Sequence, residues 1–422
     1  MGGVRRGIIC NVPLLGLVFS MLSLHHLRTF SAVVRAGGVR ASADKLLRAT
    51  SAISRSVALL ESALQTQLFE RKGRGMLLTP AGELAHARFL RIEQELMAVA
   101  DDAALSRTGG RTTRALTAAA IDALFDERRL QAVSLLAEVH HMPTVGRHLD
   151  ISQPAVSGAV SRLEGALGHK LFLRTARGLM PTDAGARWVV RFDRALAELR
   201  HLAEDISAAN GSMQGMVTVG TLPLARTSVL PLAVSALLAQ HPGLRIHSVE
   251  SPYEQLCAGL LSGKVDFIIG ALRPVLDKAL FSEPLFADRL GLIASATHPL
   301  ARRRKVTFED LREFPWVLSR PGTPLRESLA NFFASHGEKV PVPAVQTGDQ
   351  TLVRGLLMQG RMLTVLSTHQ LRYEIDAGNL CVLRFGMEGL QREIGLTMRA
   401  GAHLSAGAQA LVRQITQMVK ET

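Results

Sequence analysis

The sequence predicts a multidomain chain. Two small helical modules, each closed by a basic, glycine-bearing turn and a long helix, precede an α/β region. Three observations predict it. A segment of the first half recurs without a gap 103 positions later, a heptad-spaced apolar seam follows each copy, and short apolar runs alternate with helix-period segments from Gly215 onward. A length of 422 residues accommodates two to four domains.

The repeat organises the first half. Leu46, Ser54, Val57, Leu60, Glu61, Leu64, Leu68, Phe69, Arg71, Arg74, Gly75, Thr79 and Gly82 are matched by Leu149, Ser157, Val160, Leu163, Glu164, Leu167, Leu171, Phe172, Arg174, Arg177, Gly178, Thr182 and Gly185. Chance likeness of two helical stretches gives a few matches. It does not hold one register through helix, turn and following helix.

Each copy reads alike. A first amphipathic helix carries Leu27, Phe30 and Val34, or Leu130, Val133 and Leu136; a second, short helix ends at Leu46 or Leu149. The third helix has its apolar face at Ile53, Val57, Leu60 and Leu64, or Val156, Val160, Leu163 and Leu167. That spacing of four, three and four buries one stripe and exposes the opposite one. Thr50, Ser51, Ser54 and Arg55 lie at the start and on the open side in copy one; Ser152, Gln153, Pro154, Ser157, Gly158 and Arg162 do so in copy two. The turns carry Arg71, Lys72 and Arg74, or Arg174 and Arg177, with glycines that allow tight reversal and arginines that reach phosphate.

Ile151-Ser-Gln-Pro-Ala-Val-Ser157, Arg162-Leu-Glu164, Leu167-Gly168, Leu171-Phe172, Arg174 and Thr182-Asp-Ala-Gly185 fall in order in copy two. It resembles the winged helix-turn-helix module of LysR-type transcription regulators. The resemblance implies that the third helix enters the major groove and the wing meets the backbone, with Ser152, Gln153, Pro154, Ser157 and Arg162 at or near DNA. The residues agree by themselves: Ser152 can cap the helix, Pro154 is tolerated in its first turn, and Gln153 can pair with adenine.

Copy one departs from this pattern. Thr50 and Ser51 stand for Gln153 and Pro154, Arg55 for Gly158, and Gln65 for Gly168. It is either a second reader with another base preference or a relic. A relic is expected to lose charge, yet residues 1–114 hold sixteen Lys/Arg against eight Asp/Glu. The balance favours a module that binds DNA, at least non-specifically.

A long helix follows each turn. Ala85, Phe89, Ile92, Leu96, Val99 and Ala103 repeat a 4-3-4-3-4 spacing, as do Trp188, Phe192, Ala195, Leu199, Leu202 and Ile206. Such a seam buries against another helix. In the family this helix pairs with that of a second subunit. Here the two can pair with each other, pair across a dimer, or pack on their own modules. The Ser/Thr/Gly-bearing stretch 104–125 reads as a flexible joint.

The second half alternates strand and helix, as a doubly wound domain does. Met216–Gly220, Leu244–Val249, Val265–Ile269, Leu290–Ala294, Trp316–Leu318, Arg361–Leu366, Cys381–Leu383 and Glu393–Thr397 read as strands, with a final helix over Ala406–Lys420. Gly263-Lys-Val-Asp266, Glu283-Pro-Leu-Phe286 and His298-Pro-Leu-Ala301 resemble the LysR effector domain. That resemblance implies a two-lobed, periplasmic-binding-protein-like fold with an effector cleft. By position, Thr221, Leu222, Ser251, Ser319, Arg320, Thr323, Thr347, Asp349, Thr364 and Val365 would line it. Hydroxyls and helix-start amides suit a small polar or anionic ligand. Leu363–Ser367 and Tyr373-Glu374 resemble a subgroup that senses sugars or aromatic breakdown acids.

The resulting division has residues 1–20 as a mis-assigned start or disordered leader, since Met21 immediately precedes the first module. The first module and its long helix span 21–110, the second 124–210, and the effector domain 214–422. Lobe I takes about 214–275 and 378–422, lobe II about 283–370. The net charge of +13 favours an anionic partner. Cys10, Cys257 and Cys381 form no disulfide or zinc pattern, which fits a reducing cytoplasm. Arg5-Arg6 and the apolar run Ile8–Phe19 imitate a secretory signal, but the run is interrupted and too short to span a bilayer. The sequence shows no H-E-x-x-H, G-x-S-x-G or Walker loop, and the histidine pairs His25-His26 and His140-His141 suit surface or capping roles. The expected protein is a regulator, not an enzyme, that needs no cofactor. Its expected partners are promoter DNA, a sugar or organic-acid effector, RNA polymerase and its own copies as a dimer or tetramer, with no membrane. A periplasmic-type solute-binding protein is the rival reading; it leaves two basic helical modules unexplained.

Overall fold

The apolar periodicities become two cores. The computed structural model describes residues 22–70, 76–108, 117–227, 229–274, 277–388 and 390–420. Residues 1–20, Met21, the turn with Arg71, Lys72 and Arg74, and residues 109–116 of the joint lie outside the described residues. The chain divides into a unit built mainly from the residues up to Gly215 and a unit built mainly from Met216 onward.

In the first unit, α1 (Leu24–Ala36), α2 (Val39–Leu46) and α3 (Thr50–Leu64) bury Leu24, Leu27, Phe30 and Val33 against Ile53, Val57, Leu60 and Leu64. After α4 (Pro80–Thr108) comes α5 (Ala118–Leu124), where the sequence predicted only a joint. Thr117 caps α5, and Ala120 and Leu124 are buried. The alanines that read as linker are good helix formers once one face has a surface to cover. Then α6 (Glu127–Val139), α7 (Met142–Leu149) and α8 (Gln153–Leu167) pack as α1 to α3 do. A two-stranded wing, β1 (Phe172–Thr175) and β2 (Gly178–Pro181), leads into α9 (Asp183–Ala209).

The shared motifs have shared physical reasons. Glu61 accepts from the backbone N–H of Leu68 at 2.8 Å and of Phe69 at 3.4 Å; Glu164 accepts from those of Leu171 at 2.9 Å and Phe172 at 3.4 Å. Thr79 and Thr182 donate back to the carbonyls of Gln67 and Lys170 and accept from the N–H of Gly82 and Gly185. A Cβ on Gly82 would lie 2.1 Å from the Leu68 carbonyl oxygen, and one on Gly185 2.2 Å from that of Leu171. The helix start therefore approaches the preceding segment too closely for any side chain. Gln65, standing where copy two has Gly168, takes the same left-handed helix end (φ 50° against 71°).

The long helices α4 and α9 pack against each other within the chain. All twelve seam residues are buried. Ion pairs fix the direction: Arg88–Glu198 at 2.6 Å, Arg191–Glu95 at 2.8 Å and Arg187–Asp102 at 3.1 Å. Ascending positions of one helix meet descending positions of the other, so the pair is antiparallel.

The second unit has a sheet of order β10-β6-β11-β5-β3-β4, with β9 also on β6. Its strands are β3 (Gly215–Thr221), β4 (Leu244–Val249), β5 (Phe267–Ala271), β6 (Leu280–Ser295), β9 (Thr364–Ser367), β10 (Leu380–Val382) and β11 (Gln391–Arg399). A smaller sheet pairs β7 (Val317–Leu318) with β8 (Val345–Gln346). Helices α10 (Val229–Gln240), α11 (Tyr253–Ser262) and α16 (Ala406–Lys420) belong with the first lobe. Helices α12 (Phe308–Leu311), α13 (Pro324–Ser335), α14 (Gln350–Met358) and α15 (Arg372–Asp376) belong with the second.

Strand β6 belongs to both lobes. Its residues 280–289 pair with β11 and 290–295 with β9 and β10. Residues 380–382, expected in lobe I, therefore lie beside lobe II. Pro284 cannot donate to a ladder, and a register shift between Ile394 and Gly395 falls opposite it.

Candidate nucleic-acid interface and effector cleft

The open side of α3 presents Thr50, Ser51, Ser54 and Arg55, all exposed. That of α8 presents Ser152, Gln153, Pro154 and Arg162, exposed, and Ser157, half-buried. Ser152 caps α8 by accepting from the Ala155 N–H at 3.3 Å, whereas Ala49 before α3 has no side chain to do so. Arg174 and Arg177 are exposed on the wing, and among the described residues neither they nor Arg55 and Arg162 pair with a carboxylate. Gly178 makes the wing possible: its φ is 105°, and a Cβ would lie 2.5 Å from the His140 carbonyl oxygen. That carbonyl accepts from the Leu179 N–H at 3.0 Å, tying the wing to the end of α6.

Gly158 sits on the same open side of α8 with no atom within 4 Å of where its Cβ would be. Nothing inside the protein requires glycine there. Gly158→Ala is expected to stabilise the free protein by about 1 kcal/mol, measured by denaturant unfolding. A loss of DNA affinity in the same variant would identify the glycine as a point of close approach by the duplex. A destabilised free protein would refute the reasoning.

The histidine pairs serve local structure. His25 Nε2 lies 2.9 Å from Arg48, and His141 Nδ1 lies 2.9 Å from the Thr144 hydroxyl. Among the described residues no cluster of three or more His, Cys, Asp or Glu is placed to hold a metal, and no helix is long and apolar enough to cross a membrane.

In the second unit a cleft of about 500 Å³ opens between the lobes, bordered by Arg226 and Thr227 of one and Asp349, Gln350, Arg354 and Tyr373 of the other. The Gln350 amide donates to the Thr227 hydroxyl at 3.2 Å and to the Gln370 carbonyl at 2.6 Å, bridging the lobes. Arg354 pairs with Glu374 at 2.7 Å, while Arg226 is exposed with no carboxylate partner among the described residues. Behind the cleft, Asp288 is fully buried, held by Ser367 at 2.5 Å and Arg392 at 2.8 Å, and Arg392 donates on to Gln370 at 3.2 Å.

Of the sequence-derived cleft residues, Asp349 borders this cavity; it also caps α14, accepting from Thr351 and Leu352. Thr221 is buried, its hydroxyl shared with Ser248 and Glu250. Leu222 donates its N–H to Ile269, and Ser251 lies half-buried in the loop before α11. Ser319 bonds Thr323, which caps α13 beside exposed Arg320; Thr347 accepts from the Asp349 N–H. Thr364 and Val365 are buried in β9, and the Thr364 hydroxyl donates to Val317 at 2.7 Å, so neither faces the cavity. The family resemblance assigned them to the cleft by position, but in β9 both side chains are buried. Arg226, Thr227, Gln350, Arg354 and Gln370 were missed because no local pattern marks them; they meet only through the fold.

A family profile described as "LysR substrate binding domain" matches residues 210–420. One described as "Bacterial regulatory helix-turn-helix protein, lysR family" matches residues 24–83 and 128–186. The HTH-type transcriptional regulator GalR of Pseudomonas putida is 41% identical over 401 residues, 94% of this chain and 98% of its own. A full-length cysteine-to-aspartate variant of OxyR from Pseudomonas aeruginosa is similar in fold, with a TM-score of 0.54 at 20% identity over 70% of this chain and 94% of its own. CbnR, a LysR family transcriptional regulator, has a TM-score of 0.51 at 19% identity over 70% of this chain and 99% of its own.

Proposed function

This chain belongs to the LysR family of DNA-binding transcription regulators with a C-terminal effector domain, and from that premise we propose that it carries two DNA-reading winged helix-turn-helix modules, at 21–110 and 124–210. The observation that carries this reading is the pair of open helix faces on α3 and α8, each with unpaired arginine or adaptable polar groups. The two matches to the helix-turn-helix profile support it, as does the length shared with the Pseudomonas putida relative.

Gln153, Ser157 and Arg162 read bases from α8, with Ser152 and Pro154 at its start beside the DNA. Thr50, Ser51, Ser54 and Arg55 do so from α3, and Arg71, Lys72, Arg74, Arg174 and Arg177 hold phosphates. The test is binding of the full chain to the DNA upstream of its own gene. Gln153→Ala is expected to weaken specific binding by 1–3 kcal/mol, with affinity falling steeply as salt rises. Unchanged affinity and sequence preference in this variant would remove Gln153 from the interface.

The interlobe cleft is the effector site. Of the two arginines at the cleft, Arg354 is already paired with Glu374; Arg226, with no carboxylate partner among the described residues, is the group that favours a small organic acid over a neutral sugar. A carboxylate ligand is expected to raise the melting temperature, and Arg226→Ala to weaken that ligand about 10-fold or more. Stabilisation by neutral sugars alone, untouched by Arg226→Ala, would reverse the assignment. Ligand closure shifts the population of lobe arrangements and, through self-association of the chain as a dimer or tetramer, the contact with RNA polymerase.

A further inference from the structure

The ion pairs between α4 and α9 obey a rule that sequence alone does not reveal. Arg88 meets Glu198; 103 positions on, Arg191 meets Glu95, which is 103 before Glu198. Arg91 approaches Glu198 at 3.6 Å, and Arg194, 103 further on, approaches Glu95 at 3.5 Å. Residue i contacts j, and the equivalent of i contacts the equivalent of j. This reciprocity is what a two-fold interface between identical subunits shows. The Leu24 N–H donates to Glu127 at 3.0 Å, a contact between equivalent positions, which places it beside the two-fold axis. Here the seam is completed by one chain, and its core residues Phe89, Leu96, Trp188, Phe192 and Leu199 are all buried.

The two heads so joined are not equivalent. Position by position, the open face of α3 shows Thr50, Ser51, Arg55 and Leu59, the last 45% exposed; that of α8 shows Gln153, Pro154, Gly158 and Arg162. A glutamine at the helix start suits adenine, an arginine suits guanine, and an apolar side chain suits a thymine methyl. Because these groups occupy different levels on the two helices, the same base order cannot satisfy both.

We propose that one chain is a complete two-headed reader, its linker helices closed on each other in cis, and that its DNA element is asymmetric, with two half-sites of different sequence. This rests on the DNA-reading assignment above, and two measurements on the full chain separate the two claims. In the first, Asp102→Cys and Arg187→Cys are introduced with Cys10, Cys257 and Cys381 replaced by serine, and the pair is bridged with a short bis-maleimide. Product at the mass of one chain is expected; product at the mass of two chains would overturn pairing in cis. In the second, hydroxyl-radical footprints are compared for the unmodified chain, Arg55→Ala and Gln153→Ala. Each variant is expected to lose roughly 10-fold in affinity, with protection fading over one half of the element for Arg55→Ala and over the other for Gln153→Ala. Fading of the same half in both, or a palindromic element, would overturn the asymmetric site. Absence of specific protection by the unmodified chain would overturn the DNA-reading assignment of the two modules and the asymmetric element together, while the bridged mass still decides the pairing.

Discussion

Replacing Arg88 with methionine is expected to cost about 3–5 kcal/mol, the loss typical when one partner of a buried charge pair is removed. The Arg88 side chain is 4% exposed, and its guanidinium is clasped between Glu198 at 2.6 Å and Asp205 at 2.7 and 2.9 Å. Burial disfavours its charge, but Glu198 and Asp205 more than offset that and hold its pKa above the ordinary arginine value. Without it, two largely buried carboxylates one above the other on α9 lose the cation that reaches them from α4, and Arg91, 3.6 Å from Glu198, is a more distant counter-charge. For a unit of this size the loss corresponds to a melting temperature roughly 10 °C lower. Arg191→Met, at the equivalent position, is expected to cost at most about 1 kcal/mol, because that side chain is 39% exposed and water replaces its partner. Calorimetry on the two variants checks this. Equal shifts would show that burial does not set the strength of the seam's ion pairs.

Asp288→Ala is expected to have a comparable effect, again about 3–5 kcal/mol, in the other unit. Asp288 is fully buried, and its removal strands the Arg392 guanidinium among the strands shared by both lobes. Ser367 loses its acceptor at the same time. The double variant Asp288→Leu with Arg392→Met is expected to recover most of the loss, because a buried ion pair replaced by apolar groups of similar bulk is often neutral. Since the units have separate cores, Arg88→Met and Asp288→Ala are expected to move different calorimetric transitions. One common transition shifted equally by both would contradict independent units. Arg392 also reaches Gln370, whose carbonyl holds Gln350 at the cleft, so Asp288→Ala should weaken effector binding as well.

The helix faces, the buried seams and the alternation of strand and helix in the second half were legible because they rest on periodicity, and a stripe that must be buried announces itself at every third or fourth residue. The partner of each seam was not legible. The spacing of Phe89, Ile92 and Leu96 requires a facing helix but is satisfied by any helix with the same stripe. The order of Arg88, Glu95, Arg191 and Glu198 along the two helices fixes their antiparallel register, and it emerges only once α4 and α9 face each other. The cleft was less legible still. Asp349 was placed by position from the family resemblance, whereas Thr227, Gln350 and Gln370 converge from three segments far apart in sequence. Residues 118–124 lacked polar and apolar alternation, so alanine content read as linker until Leu124 found a core.

Because the facing helices share one backbone, each sees the other at an effective concentration on the order of millimolar, whatever the amount of protein present. Dilution that would separate two independent chains leaves this seam shut. On the two-headed reading proposed above, occupancy of a two-part site would rise with the first power of protein concentration, not the second. Both heads would also be inherited, synthesised and degraded in strict one-to-one proportion, so that a scarce regulator would never present an unmatched half to the chromosome.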